Sequence, residues 1–145
     1  MTGMRYPTAL CAAVFLLATA SPMAQAPADP SDPSDPSGPP VPHQVTYTVT
    51  TTSDLTANIY YVATDPPSQA LANDPQFMPL ARTGVGPGAP WVFQTTLTDP
   101  TQWAFISASG GLRVNPEFRC EIAVDGEVVL SQQGGSGVQC ALRPW

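Results

Sequence analysis

Phe118-Arg119-Cys120-Glu121-Ile122-Ala123-Val124-Asp125-Gly126-Glu127-Val128-Val129-Leu130, then a glycine-rich turn and Val138-Gln139-Cys140, is the stretch whose reading decides the fold. Phe118, Cys120, Ile122 and Val124 alternate with Arg119, Glu121 and Ala123. A period of two with one apolar face marks a half-buried strand. Asp125-Gly126 signals a hairpin. Two registers are open. A two-residue loop sets Ile122 opposite Val129. A three-residue loop, Val124-Asp125-Gly126 with Gly126 left-handed, sets Ile122 opposite Val128 and Cys120 opposite Leu130. The second keeps these apolar residues on one face and is the favoured expectation.

Gly134-Gly135-Ser136-Gly137 reverses the chain again, and Val138, Cys140 and Leu142 then alternate inward against Gln139, Ala141 and Arg143. Cys120 and Cys140 therefore face inward on nearby strands. The expectation is a disulfide between them; the alternative is two free core thiols. Closing a loop of about 20 residues stabilises by roughly 3 kcal/mol on the chain-entropy model.

Upstream of this stretch, four more segments read as strands. Val45, Tyr47 and Val49 alternate with Thr46, Thr48 and Thr50. Ala57 to Ala63 is apolar or aromatic on both faces, as a central strand is, and Trp91 to Leu97 follows Pro90. Asp99-Pro100 makes a turn, Trp103 to Ala108 is the next strand, and Gly110-Gly111 breaks the chain. Seven short strands with no long helical period predict an all-β, Ig-like antiparallel sandwich of two sheets. The gap from Ala63 to Pro90 is rich in proline and glycine, with Gln76-Phe77-Met78-Pro79-Leu80 as its apolar patch. It reads as a short edge strand or plug over the sandwich, or as a contact for a partner or ligand.

The chain has 145 residues, enough for one folded domain. It carries five arginines, no lysine and a formal charge of −6, which argues against nucleic acid and anionic membrane surfaces as partners. Residues 1–28 read as a secretory signal, with Arg5 as the positive end and an apolar run from Thr8 to Ala20. Ala26-Pro27-Ala28 before Asp29 and Ala18-Thr19-Ala20 before Ser21 are the usable cleavage sites. The alternative is an uncleaved short signal anchor. Residues 29–43 read as a disordered Asp/Ser/Pro-rich linker, because proline at every third position holds the chain in polyproline II. The folded domain is 44–145. Removing the signal also removes Cys11 and leaves an even pair of cysteines in an oxidising compartment.

No constellation of residues calls for catalysis, a cofactor or a metal. His43 is the sole histidine and sits at the end of the linker, where a triad or a metal site would lack partners. Glu117 and Glu121 read as a solvated strand face, and Asp125 and Gly126 as turn residues. Trp91 and Trp103 lie on strands. Trp145 is either tucked onto the sandwich or exposed for contact. Phe77, Met78, Leu80 and Trp145 are the candidate binding surface for lipid or protein.

Several segments together resemble the mycobacterial small membrane proteins called MmpS, accessories of MmpL lipid transporters. The matching pieces run from Val45-Thr46-Tyr47-Thr48-Val49-Thr50 through Ala57-Asn58-Ile59-Tyr60-Tyr61 and Pro90-Trp91. Cys120-Glu121-Ile122-Ala123-Val124-Asp125-Gly126-Glu127-Val128-Val129 and Gly137-Val138-Gln139-Cys140 complete them. The resemblance implies an extracytoplasmic β-sandwich with a disulfide between the Cys120 and Cys140 strands. It also implies work beside an MmpL-type membrane transporter of lipids or siderophores, with that transporter or an apolar cargo as partner. The chain departs from the family pattern in its shorter apolar run and in its enlarged loop from Thr64 to Gly88. The expectation is a non-enzymatic exported accessory or binding domain. The alternative is a freely secreted sandwich that binds a cell-wall or host ligand.

Overall fold

The computed structural model describes residues 39–110 and 116–145. The expected signal segment and the linker up to residue 38 lie outside the described residues, as does Gly111. The elements are β1 (His43–Thr50), β2 (Leu55–Tyr61), β3 (Leu80–Val85), β4 (Trp91–Leu97), a helical turn α1 (Pro100–Trp103), β5 (Phe105–Gly110), β6 (Phe118–Val124), β7 (Glu127–Gly134) and β8 (Gly137–Ala141). They make two four-stranded sheets of order β4-β1-β6-β7 and β3-β2-β5-β8. All neighbouring strands are antiparallel.

Each sheet turns one side of its alternating pattern to the core. Phe93, Tyr47, Ile122 and Leu130 form one inward row of the first sheet. Ala81, Ile59, Ala108 and Val138 form the facing kind of row in the second. Tyr47, Ile59 and Ile122 are fully buried, and burying an aliphatic or aromatic side chain of this size stabilises by about 1.5–3 kcal/mol. The threonines of β1 face the other way and are half-buried, as the alternation requires.

The hairpin adopts neither expected register. Val124 pairs with Glu127 across a two-residue turn, with φ of 51° at Asp125 and 85° at Gly126. That is the turn whose twist matches its strands, and only residues such as Asp and Gly enter it at small cost. Ala123 then pairs with Val128, but Ile122 pairs with Leu130, so Val129 is an extra residue in a bulge. The bulge re-phases β7 and brings Leu130 back to the side of Ile122. Cys120 consequently faces Gln132 rather than Leu130. Val128 and Val129 are left 55% and 47% exposed.

The eighth strand is β3, in the segment that the sequence marks only as an edge strand or plug. Of its inward residues Ala81 and Thr83 are small and only Val85 is a buried aliphatic one, and Pro79 and Pro87 bracket it, so it carries little apolar alternation of its own. It forms because β2 offers a complete edge, from Leu55 opposite Val85 to Tyr60 opposite Leu80. Just before it, Met78 plugs the core at 8% exposure. Trp103, expected at the head of a strand, closes α1 instead, since Asp99 caps that turn and Pro100 occupies its first position.

The Ig arrangement of four strands over three, with its last two strands side by side, does not hold here. β7 and β8 follow one another through Gly135-Ser136, yet they lie in different sheets. A Cβ at Gly134 would overlap the Gly137 carbonyl oxygen, so this crossing needs glycine. Cys120 on β6 and Cys140 on β8 are joined by a disulfide with Cα atoms 6.1 Å apart. The bond thus staples the two sheets together.

Candidate functional site

The tight turn of the β6–β7 hairpin folds back on the start of β1. The Asp125 carboxylate accepts a hydrogen bond from the Gln44 N–H at 2.9 Å and lies 2.7 Å from His43 Nδ1. The Asp125 N–H donates to the Gln44 carbonyl at 2.8 Å. The His43 contact, then the Gln44 N–H, hold the Asp125 carboxyl below its ordinary value. His43 is therefore the first residue of β1, paired opposite Leu97, and not a loose linker residue.

Beside this latch lies an apolar hollow of about 350 Å³ lined by His43, Pro100, Thr101, Val124, Val129 and Leu142. Five elements or their ends meet there, and each delivers its residue for a local reason. Asp99 accepts hydrogen bonds from the Gln102 N–H at 3.2 Å and the Thr101 hydroxyl at 2.6 Å, which fixes α1 and aims Pro100. The Leu142 N–H donates to the Ala104 carbonyl at 3.3 Å, which fixes Leu142 just past β8. The bulge displaces Val129 from the ladder and turns it to this rim. Val128, opposite Ala123 in the ladder, is exposed on the other face of the sheet.

Leu142 also borders a second groove of about 370 Å³ between the β7 and β8 edges, with Leu130, Gln132, Gln139, Ala141, Arg143, Pro144 and Trp145. Trp145 is tucked onto the sandwich. Its ring lies 4.5 Å from that of Phe105, and its Nε1–H donates to Asn73 Oδ1 at 3.0 Å. The Arg143 guanidinium stacks on Trp145 at 4.3 Å and reaches Trp103 at 5.4 Å. The four residues expected to form a binding surface do not make one exposed patch. Met78 is in the core, Phe77 is half-buried, and Leu80 is 50% exposed opposite Tyr60 on the edge of the second sheet. Sequence reading gives no rule that binds sites so far apart in the chain, and Trp145 in fact meets Asn73 of the long loop.

At the other end of β1 a polar cleft of about 410 Å³ is lined by Thr50, Thr51, Thr52, Glu117, Phe118, Arg119, Gln133, Gly134 and Gly135. Glu121 pairs with Arg119 at 2.7 Å. No group of three or more metal-ligating side chains occurs among the described residues. Tyr47 is the strongly perturbed titratable group: burial pushes its phenol well above the ordinary range. Its hydroxyl donates to the Val62 carbonyl at 3.0 Å and accepts from the Phe105 N–H at 3.4 Å, so it ties the sheets together. The residues missed in the sequence are Pro100, Thr101, Val124, Val129 and Leu142. One signal was available: two adjacent valines after a tight turn cannot both face the core, so one of them must face out.

Fold and site together define a two-sheet, disulfide-stapled sandwich with an apolar hollow at one end. The model of the Rv2576c β-sandwich domain matches residues 47–140, and the chain belongs to that family. "Uncharacterized protein Rv2576c" of Mycobacterium tuberculosis (strain ATCC 25618 / H37Rv) is 62% identical over 108 residues, covering 73% of this chain and 70% of its own. "Uncharacterized protein Mb2606c" of Mycobacterium bovis shows the same identity and the same coverage.

Proposed function

We propose that the chain is a non-enzymatic, exported accessory or binding domain of the MmpS type. It holds an apolar cargo or a partner's apolar segment at the hollow beside His43, and assists an MmpL-type exporter of lipids or siderophores. The observation that carries this reading is the hollow itself. Pro100, Val124, Val129 and Leu142 line about 350 Å³ of open apolar space. Apolar surface gathered in a concave site gains free energy when water is displaced from it, at about 25 cal/mol per Å². The disulfide between the sheets fits an oxidising compartment outside the cytoplasm.

A photo-crosslinking side chain at position 129, in the native host, tests the reading. The expected product is a covalent adduct with an envelope transporter or with an apolar small molecule, lost when Leu142 is changed to Asp. Recovery of the protein wholly in culture filtrate, with no adduct at position 129, would overturn it. That outcome would favour the freely secreted module that binds a cell-wall or host ligand.

A further inference from the structure

We propose that the hollow and the groove beside it form one site for an amphiphile with a single alkyl chain and an anionic oxygen headgroup, its chain in the hollow and its head on Arg143. The proposal rests on the reading of the hollow as an apolar binding site and adds the class of ligand. Leu142 lines both spaces, and Val129 of the hollow is followed in the chain by Leu130 of the groove. The helical turn α1 ties them on another side. Its Pro100 and Thr101 line the hollow, and the carbonyl of the next residue, Gln102, accepts a hydrogen bond from Arg143 Nε. The guanidinium therefore sits one residue along α1 from the rim of the hollow. Polarity changes from one space to the other. The hollow is walled mainly by Pro100, Val124, Val129 and Leu142, whereas the groove brings Gln132, Gln139 and Arg143 together. A chain with one polar end matches that division.

The sign of the head follows from the charges. Arg143 is half-buried, and its plane is fixed by the stack on Trp145. Nε and Nη1 donate to the carbonyls of Gln102 and Pro144, which leaves Nη2 for a ligand. The ion pairs among the described residues are His43 with Asp125 and Arg119 with Glu121, so Arg143 is in neither. A held guanidinium with no carboxylate of its own favours an anionic oxygen acceptor, and such charge-assisted bonds are roughly twice as strong as neutral ones. The amides of Gln132 and Gln139 add donors in the same groove. At the hollow the sign is opposite. Asp125 lies against His43, Asp99 directly precedes Pro100, and both carboxylates already accept hydrogen bonds. An anionic head is repelled there and drawn to Arg143, and a cationic head at Arg143 meets like charge. The charges thus set the direction in which the ligand lies.

Titration calorimetry of the oxidised full chain at neutral pH tests both halves of the site. The probes are decanoate, decan-1-ol and decyltrimethylammonium, each below its micelle concentration, and acetate as a head without a chain. Decanoate should bind about tenfold more tightly than decan-1-ol or decyltrimethylammonium, and about a hundredfold or more tighter than acetate. Arg143→Gln should bring decanoate and decan-1-ol to within about twofold of each other. Gln139→Glu, at an exposed position of β8 that leaves the Trp145 stack in place, should narrow the same ratio by placing a like charge beside the head. Near-UV circular dichroism of each variant establishes that it is folded. Equal binding of the three decyl compounds overturns the headgroup assignment and leaves the hollow standing as an apolar site. Tightest binding of decyltrimethylammonium, or a ratio that neither variant changes, overturns the assignment as well. If acetate binds as tightly as decanoate, the two spaces are not one site. Failure of all three decyl compounds to bind removes the reading of the hollow, and this proposal with it.

Discussion

The two flanks of the sandwich are closed by different chemistry. On one flank Cys120 of the first sheet is bonded to Cys140 of the second. On the other, Tyr61 of the second sheet sits among aromatic rings of the first: Phe93 at 4.5 Å, Trp91 at 5.0 Å and Tyr47 at 6.4 Å between centroids. The covalent seam acts largely by limiting the unfolded chain. The aromatic seam acts in the folded state, through buried area, ring contacts and the two hydrogen bonds of the Tyr47 hydroxyl. One seam depends on redox conditions and the other does not.

The largest expected effect is on the aromatic side. Tyr47→Ala should cost about 3–5 kcal/mol, because it opens a cavity in a site with no exposure and also removes the tie to the second sheet. Urea unfolding of the oxidised protein measures it. Loss of the disulfide, by reduction or by changing both Cys120 and Cys140 to Ala, should cost roughly 3 kcal/mol. If that loss exceeds the Tyr47→Ala effect, the ranking of the two seams is reversed. Tyr47→Phe should cost about 1–3 kcal/mol, since it keeps the ring but strips the Phe105 N–H and the Val62 carbonyl of their partner.

The smallest effect is at the exposed latch beside the hollow. The Asp125 carboxyl is held below its ordinary 3.8, so its ionised form favours the folded state. That contribution is present above the ordinary value and fades as pH falls through the lowered one. Asp125→Asn should flatten the acid limb of a stability-against-pH curve below about pH 4 and leave the curve near neutrality with the same shape. An unchanged acid limb would mean that the His43 and Gln44 contacts contribute nothing in solution.

The covalent seam could be read from residues because it needs only two cysteines and strand alternation to place both inward. The aromatic seam could not, because it gathers Tyr47, Tyr61, Trp91 and Phe93 from three strands whose order in the sheets no local pattern fixes. The two-sheet antiparallel sandwich was legible for the same reason as the disulfide: most strands carry their own alternation. β3 was legible as a short edge strand or plug but not in its bounds, since Ala81 and Thr83 are too small to mark an inward face and the strand is recruited by the β2 edge. The hairpin register escaped because two rules met. Turn chemistry demanded two residues at Asp125-Gly126, core facing demanded Leu130 beside Ile122, and a bulge at Val129 satisfied both. The same bulge turns Val129 toward the hollow. The candidate site was therefore illegible wherever it depended on that extra residue, and the surface expected from Phe77, Met78, Leu80 and Trp145 dispersed once Met78 entered the core.

The proposal that this disulfide-stapled domain works outside the cytoplasm is tested most directly by the state of the native thiols. Cells are fractionated under acid, alkylated without reductant, and the intact mass of the protein is read from cytoplasm, envelope and filtrate. The account predicts protein outside the cytoplasm, with Cys120 and Cys140 unreactive and a mass about 2 Da below that of the reduced chain. Cytoplasmic protein with both cysteines alkylated would contradict it.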